Sequence, residues 1–242
     1  VTTMLTTYSS PPFRMGCDIG GSLIAHGLDN GDGGGTAANG QLESGEVDHS
    51  TIFCTKSTLL RIDINPGNHN SNPHYLTVFS NQLYFQATDG TYGNELWKYD
   101  GVNTPSMVAD INSGSGSGGL GYLTVFNDEL YFRAYDGTNG LELWKYDGVN
   151  PPSMVADIRA GISSSNPSYL TVFNNELYFS ADDGTNGAEL WKYDGVNAPT
   201  MVADINPAIG GGSAPSHLTI FNNELYFQAY DLTNGQELWK YD

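Results

Sequence analysis

Between residues 29 and 46 the chain carries a series of oxygen donors: Asp29, Asp32, Asn39, Gln41, Glu43 and Glu46. The stretch Asn39-Gly40-Gln41-Leu42-Glu43-Ser44-Gly45-Glu46 follows the second half of a twelve-position calcium loop. In that order an oxygen ligand precedes a turn-making glycine; a carbonyl, an apolar anchor, a further oxygen and a closing Glu follow. Asn39, Gln41 (by its carbonyl), Glu43 and Glu46 fill the later ligand positions, and Asp29 the first. Asp32 is the best donor for the third, because about six extra residues separate Asp29 from Asn39. Hard oxygen ligands without a thiolate or imidazole cluster favour Ca²⁺ over zinc. The competing reading is an acidic, Gly-rich surface loop without metal.

Cys17 and Cys54 bracket this segment. Paired, they close a loop of about 37 residues, worth about 3–4 kcal/mol on the chain-entropy model. That pairing implies an oxidising compartment; two free thiols in a reducing one is the alternative. A module this small has little core, so a disulfide and a metal are its expected staples.

Other chemistry is scarce. There is no Gly-x-Ser-x-Gly, and the five histidines (His26, His49, His69, His74, His217) lack metal-ligand spacing. The Gly-Lys-Ser/Thr phosphate signature is absent. Asp-Gly turns offer carboxylates, but in repeated copies whose ordinary role is to form hairpins. Asp63, Asp110, Asp157 and Asp204 recur outside those turns. They either line a channel and share a cation or, as we prefer, cap backbone amides.

What must position any site is a repeat. Glu-Leu-Trp-Lys-Tyr-Asp occurs four times, and its tryptophans, Trp97, Trp144, Trp191 and Trp239, are spaced 47, 47 and 48 residues apart. Each unit has four strand-like runs: Leu-Thr-Val/Ile-Phe, Leu-Tyr-Phe-x-Ala, the hexapeptide, and Met-Val-Ala-Asp-Ile. Polar pairs such as Asn174-Asn175 and Asp-Gly-Thr-x-Gly stretches separate them. A period in the 40s with four short strands predicts an all-β chain, a four-bladed β-propeller. The aromatic row reads as core between blades rather than as a ligand platform. Copies of a residue serve structure more readily than catalysis, so no catalytic residue is assigned.

The fourth unit reaches Asp242 without its Met-Val-Ala-Asp-Ile run, whereas Leu59–Asn65 matches Met201–Asn206 through Asp63 and Ile64. Leu59, Leu60, Ile62 and Ile64 are therefore expected to supply the strand that closes the last blade, within the chain or on a neighbouring molecule. The expected organisation is a strand or tail over 1–12 that could add to a partner's sheet, a calcium-loop module over 13–56 and the propeller over 57–242.

The array resembles the Glu-Leu-Trp-x-x-Asp-Gly-Thr repeat proteins of bacteria and cyanobacteria, with Val102, Val149 and Val196 where Thr is usual. The segment over 13–56 resembles cysteine-bracketed calcium-loop modules of secreted bacterial proteins, through its Gly-Leu-Asp, Asn-Gly-x-Leu and Glu-Val. The resemblance implies a secreted or cell-surface location and no particular activity.

Charge narrows the partners. The chain has 27 Asp+Glu against 9 Lys+Arg, a formal net charge of −18, which disfavours nucleic acid. No run approaches the roughly 18 apolar residues of a membrane span. The chain begins at Val1, which we read as a processed or trimmed terminus. The leading expectation is a non-catalytic extracellular assembly protein, a homo-oligomer or homopolymer joined through the N-terminal segment. The alternative is a lectin-like propeller that binds glycans through its Asp, Asn, Tyr and Gly turns.

Overall fold

A computed structural model describes residues 3–9, 21–29, 47–54, 60–208 and 210–242, the first three stretches as strand paths. The chain divides into two compact units, Val1–Arg61 and Ile62–Asp242. Every regular element among the described residues is a β-strand. No helix there is long and apolar enough to cross a membrane.

In the first unit β1 (Thr3–Ser9), β2 (Gly21–Asp29) and β3 (Val47–Cys54) form one antiparallel sheet in that order. The N-terminal strand, which could add to a partner's sheet, pairs along one side with β2 of its own chain, Thr3 opposite Asp29 and Ser9 opposite Leu23, and stands at the edge of the sheet. β2 and β3 are antiparallel partners, so residues 30–46 connect the two arms of a hairpin. Asp29 ends one arm and Cys54 the other. Cys17, Asp32, Asn39, Gln41, Glu43, Glu46 and Leu59 lie outside the described residues.

The second unit repeats one sheet. Blade 1 is β4 (His74–Phe79), β5 (Gln82–Ala87), β6 (Glu95–Tyr99) and β7 (Ser106–Ala109). Blade 2 is β8 (Gly121–Phe126), β9 (Glu129–Tyr135), β10 (Leu141–Tyr146) and β11 (Ser153–Ala156). Blade 3 is β12 (Ser168–Phe173), β13 (Glu176–Asp182), β14 (Ala188–Tyr193) and β15 (Thr200–Ala203). Blade 4 has β16 (Ser216–Phe221), β17 (Glu224–Asp231) and β18 (Gly235–Tyr241). Strands pair in sequence order within each antiparallel sheet, and the first strands of successive blades are neighbours. The architecture is a propeller-like array with β4, β8, β12 and β16 at its inner edge.

Local chemistry explains the turns. Ser80-Asn81, Asn127-Asp128, Asn174-Asn175 and Asn222-Asn223 all have positive φ, 45° to 60°, at both positions. This is the type I′ geometry whose twist suits a two-residue hairpin, and Asn and Asp tolerate it best. The Asp-Gly-Thr carboxylates hold amides: Asp136 Oδ1 accepts from Thr138 N and Asn139 N, both at 2.8 Å. Asp100, Asp147 and Asp194 do the same in the following loops, each also bound by the amide of the Asn three residues on. Those bonds, led by the Asn103 side chain, hold Asp100 at a pKa of about 2. Asp110 and Asp157 cap the amides of Gly114 and Gly161, as the capping reading expected.

Each junction packs the forward face of one blade on the back face of the next. Between blades 1 and 2, Phe79, Tyr84 and Leu96 meet Leu123, Leu130, Phe132 and Tyr146. Between blades 2 and 3, Phe126, Tyr131 and Leu143 meet Leu170, Leu177, Phe179 and Tyr193. Between blades 3 and 4, Phe173, Tyr178 and Leu190 meet Leu225 and Phe227, with Tyr241 beside them. Trp144, Trp191 and Trp239 pack against these clusters, as the core reading expected, and Trp97 packs with Phe85 and Ala87 on the back face of blade 1.

No closing strand is seen on the last blade among the described residues. The last sheet has three strands, β16-β17-β18, and residues 60–65 form no strand. Ile64 packs beside Phe85 and Trp97, as Ile111 packs on the next blade's core. Asn65 Nδ2 donates to Asn70 O at 3.0 Å, as Asn112 Nδ2 donates to Ser117 O at 2.9 Å. The match that suggested a strand thus lies in Asp-Ile-Asn, the tail that follows a fourth strand: β7 ends at Ala109, just before Asp110-Ile111-Asn112.

Candidate functional site

At the inner edge every blade carries the same backbone irregularity. The β4–β5 ladder skips from His74 to Thr77, and β8, β12 and β16 skip at the equivalent places. Within each skip a non-glycine residue adopts φ of 57° or 58°: Tyr75, Tyr122, Tyr169 and His217. A positive φ at a bulky residue costs roughly 1–3 kcal/mol and persists only where neighbours enforce it. The bulge turns these rings into a row along the inner edge, with centroids 5.8, 5.4 and 5.4 Å apart.

Beside that row the four copies stop being copies. At the first position of the inner strand stand His74, Gly121, Ser168 and Ser216. Directly across the ladder stand Gln86, Arg133, Ser180 and Gln228. Two residues further come Thr88, Tyr135, Asp182 and Tyr230. The start of the third run contributes Asn94, Leu141, Ala188 and Gln236. Elsewhere the strands are nearly identical.

In blade 2 these positions are filled. The Arg133 guanidinium lies 5.2 Å from the centroid of the Tyr122 ring. A Cβ on Gly121 would come within 3.3 Å of both that guanidinium and Tyr75, so glycine there makes room for them. In blade 3 the same positions carry Ser168, Ser180, Asp182 and Ala188, all small. A cleft of about 450 Å³ opens there, lined by these four with Tyr169, Ser165, Asn166, Ser216 and Gln236 among others. Its volume is within the usual range of small-ligand sites.

The cleft is framed firmly. Asp182 N donates to Ser165 O at 2.9 Å, and Ala214 N to Ala188 O at 2.9 Å. The Asp182 carboxylate pairs with Arg159 and accepts from Gly184 N at 2.6 Å. Ser165 is pinned from beneath by Glu142, which accepts its amide at 2.9 Å and its hydroxyl at 2.5 Å. Glu142 is fully buried, and burial raises its pKa against the hydrogen bonds that lower it. The floor of the cleft thus depends on a buried carboxylate, while its wall presents hydroxyls, amides, one paired carboxylate and one tyrosine ring.

The residues singled out by sequence lie elsewhere. Asp29 ends β2, and the remaining calcium-loop donors fall outside the described residues. Among the described residues no group of three or more His, Cys, Asp or Glu is arranged to hold a metal. Ile62 and Ile64 lie on the back face of blade 1, not in the cleft. Sequence reasoning passed over Ser168, Tyr169, Ser180 and Asp182. Their signal was the difference between aligned repeats, read across cross-strand partners.

No family model matches the chain, and no curated protein does. Solved structures give weak overall likenesses. A prolyl endopeptidase is 12% identical with a TM-score of 0.44, over 99% of this chain and 33% of that one. The β-propeller domain of the Trilobed protease from Pyrococcus furiosus is 14% identical at 0.39, over 84% and 65%. The α-L-arabinofuranosidase of Podospora anserina is 12% identical at 0.37, over 98% and 85%. The chain therefore spans about a third of the endopeptidase and about two thirds of the protease's propeller domain.

Proposed function

We propose that this protein is a binding module whose blade 3–4 cleft takes a neutral, polyhydroxylated ligand, a glycan in the simplest case. The observation that carries the reading is that the differences between repeats converge on one cleft, while the scaffold around it repeats. Ser168, Ser180 and Ser216 offer hydroxyls that both donate and accept, as do the amides of Asn166 and Gln236. Tyr169 supplies an apolar ring against which the C–H face of a sugar stacks. Asp182, held by Arg159, is an acceptor whose geometry is fixed before the ligand arrives. A net charge of −18 disfavours anionic ligands.

Binding without turnover fits the acid count. Glycoside hydrolysis ordinarily needs two carboxyl groups flanking the bond. Asp182 is the one carboxylate lining this cleft, and it is already paired. The same reading keeps the protein extracellular, with Ca²⁺ held between Asp29 and Glu46 and Cys17 bonded to Cys54. Calorimetry with Ca²⁺ and a mass measurement before and after reduction check those two parts independently.

The test is an array of neutral and acidic oligosaccharides probed with the full chain, followed by calorimetry on the best hit. Neutral glycans are expected to bind with Kd in roughly the micromolar to millimolar range. Exchanging the cleft for its blade 2 counterpart, S168G/S180R/D182Y, is expected to abolish that binding. No hit on the array, or binding unchanged in the exchanged protein, would overturn the reading.

A further inference from the structure

The three internal junctions are built alike, and the two faces that would make a fourth are both open. Phe79, Phe126 and Phe173 are 3–4% exposed, whereas Phe221, their blade 4 counterpart, is 61% exposed. Leu96, Leu143 and Leu190 are at most 1% exposed, and Leu238 is 76% exposed. On the opposite face, Leu123 and Leu170 are 9% and 8% exposed, and Leu76 of blade 1 is 59% exposed. Leu76, Leu83, Phe85 and Tyr99 line an apolar hollow of about 150 Å³ with Ile64 and Ser71. These are the blade 1 equivalents of the residues that receive Phe, Tyr and Leu at every internal junction.

Polar complementarity follows the same pattern. At the internal junctions Glu142 accepts from Ile158 N and Ser165, and Glu189 from Ile205 N and Ser213. The equivalent carboxylate of blade 4 is Glu237, which is exposed. The equivalent donors on blade 1 are the amide of Ile64 and Ser71. Thr77, Thr124 and Thr171 donate across junctions to Leu123 O, Leu170 O and Leu218 O, at 3.2, 3.2 and 3.4 Å. Thr219 is the donor left for Leu76 O. Ring pairs agree: Tyr84 meets Tyr146 at 5.9 Å, Tyr131 meets Tyr193 at 5.8 Å and Tyr178 meets Tyr241 at 5.5 Å. Tyr226 and Tyr99 are the two halves of the pair that would come next.

We propose that the forward face of blade 4 (Thr219, Phe221, Tyr226, Glu237, Leu238) docks on the back face of blade 1 (Ile64, Ser71, Leu76, Leu83, Phe85, Tyr99) of a second copy of this chain. The occupant is specified by the molecule itself. Three junctions already use this combination of apolar, hydroxyl-to-carbonyl and carboxylate-to-amide contacts, and both halves are presented. The interface is heterologous, so repetition either closes a ring of copies or extends a filament, depending on the rotation per step. It is distinct from assembly through residues 1–12, whose strand belongs to the sheet of the first unit.

The experiment uses the full chain in light scattering coupled to size exclusion, across a concentration series. Wild type is expected at two copies or more, dissociating on dilution. Leu238→Asp removes the forward face and Leu76→Asp the back face; both residues are exposed, so each variant should keep the wild-type circular dichroism. Each alone is expected to run as a monomer, and an equimolar mixture as a dimer, because each variant retains the half that the other has lost. Glu237→Lys, which spares the apolar core, is a second variant, expected to weaken association by roughly tenfold or more. A wild-type monomer at 100 µM or above would overturn the proposal, whether closure occurs within the chain or another surface covers the hollow. An oligomer that survives both Asp variants, or a mixture that stays monomeric, would overturn it equally.

Discussion

Blades 2 and 3 share nearly every strand residue, yet one is filled where the other is hollow. In blade 2, Arg133 over Tyr122, with Tyr135 and Leu141, occupies the inner corner. In blade 3, Ser180, Asp182 and Ala188 leave about 450 Å³. The inner-strand bulge with its positive φ is common to both, as is the ring it aims along the edge. The difference teaches that the repeat supplies a frame, and four cross-strand positions decide what the frame contains. A site in such a protein is found where the copies disagree.

The comparison can be broken from either side. Moving the blade 2 set into blade 3, as S168G/S180R/D182Y, should remove ligand binding by at least about 100-fold, since it fills the cleft and deletes its acceptor. Calorimetry reads that loss, and circular dichroism checks that the blade still forms. Opening blade 2 as R133S/Y135D/L141A should create a second cleft and move the stoichiometry from one ligand to two. Truncating the shared ring is a smaller change. Tyr169→Ala should weaken binding about tenfold, as expected for one aromatic contact, and leave the positive φ as strained as before, since Ala keeps the Cβ.

The buried glutamates sharpen the comparison through pH. Glu142 and Glu189 each receive a serine hydroxyl and amide. Glu95 faces Gly118 where the others meet serine, and its Oε1 has no partner. Burial, opposed by amides including that of Ile111, pushes the Glu95 carboxyl up to about 7. A raised carboxyl pKa means that the folded state holds the proton more tightly. Its contribution is present below the ordinary value of 4.5 and is lost as pH rises to about 7. Glu95→Gln should therefore flatten the stability profile over that window, by up to about 3 kcal/mol, in urea titrations at pH 5 and pH 8. An unchanged profile would assign the pH dependence to other groups.

The scaffold was legible because it is written four times. Trp97 and its copies marked the third strands, and the polar pairs marked tight hairpin turns, which the φ values show to be of type I′. The closing of the last blade was less legible, for a physical reason. Asp63-Ile64-Asn65 resembles Asp204-Ile205-Asn206, but in this fold those residues are the packed tail beyond a strand. The cleft was not legible by motif, since Ser168, Ser180 and Asp182 belong to no catalytic or metal pattern. They become visible only when the copies are superposed and read across the ladder, Ser168 against Ser180.

The most direct measurement is a backbone amide NMR titration of the full chain with the best neutral oligosaccharide from the array. One saturable site is predicted, with the largest shifts at Ser165, Asn166, Ser168, Tyr169, Ser180 and Asp182. Equal shifts at the Asp-Gly turns of all four blades, or none at blade 3, would contradict the account.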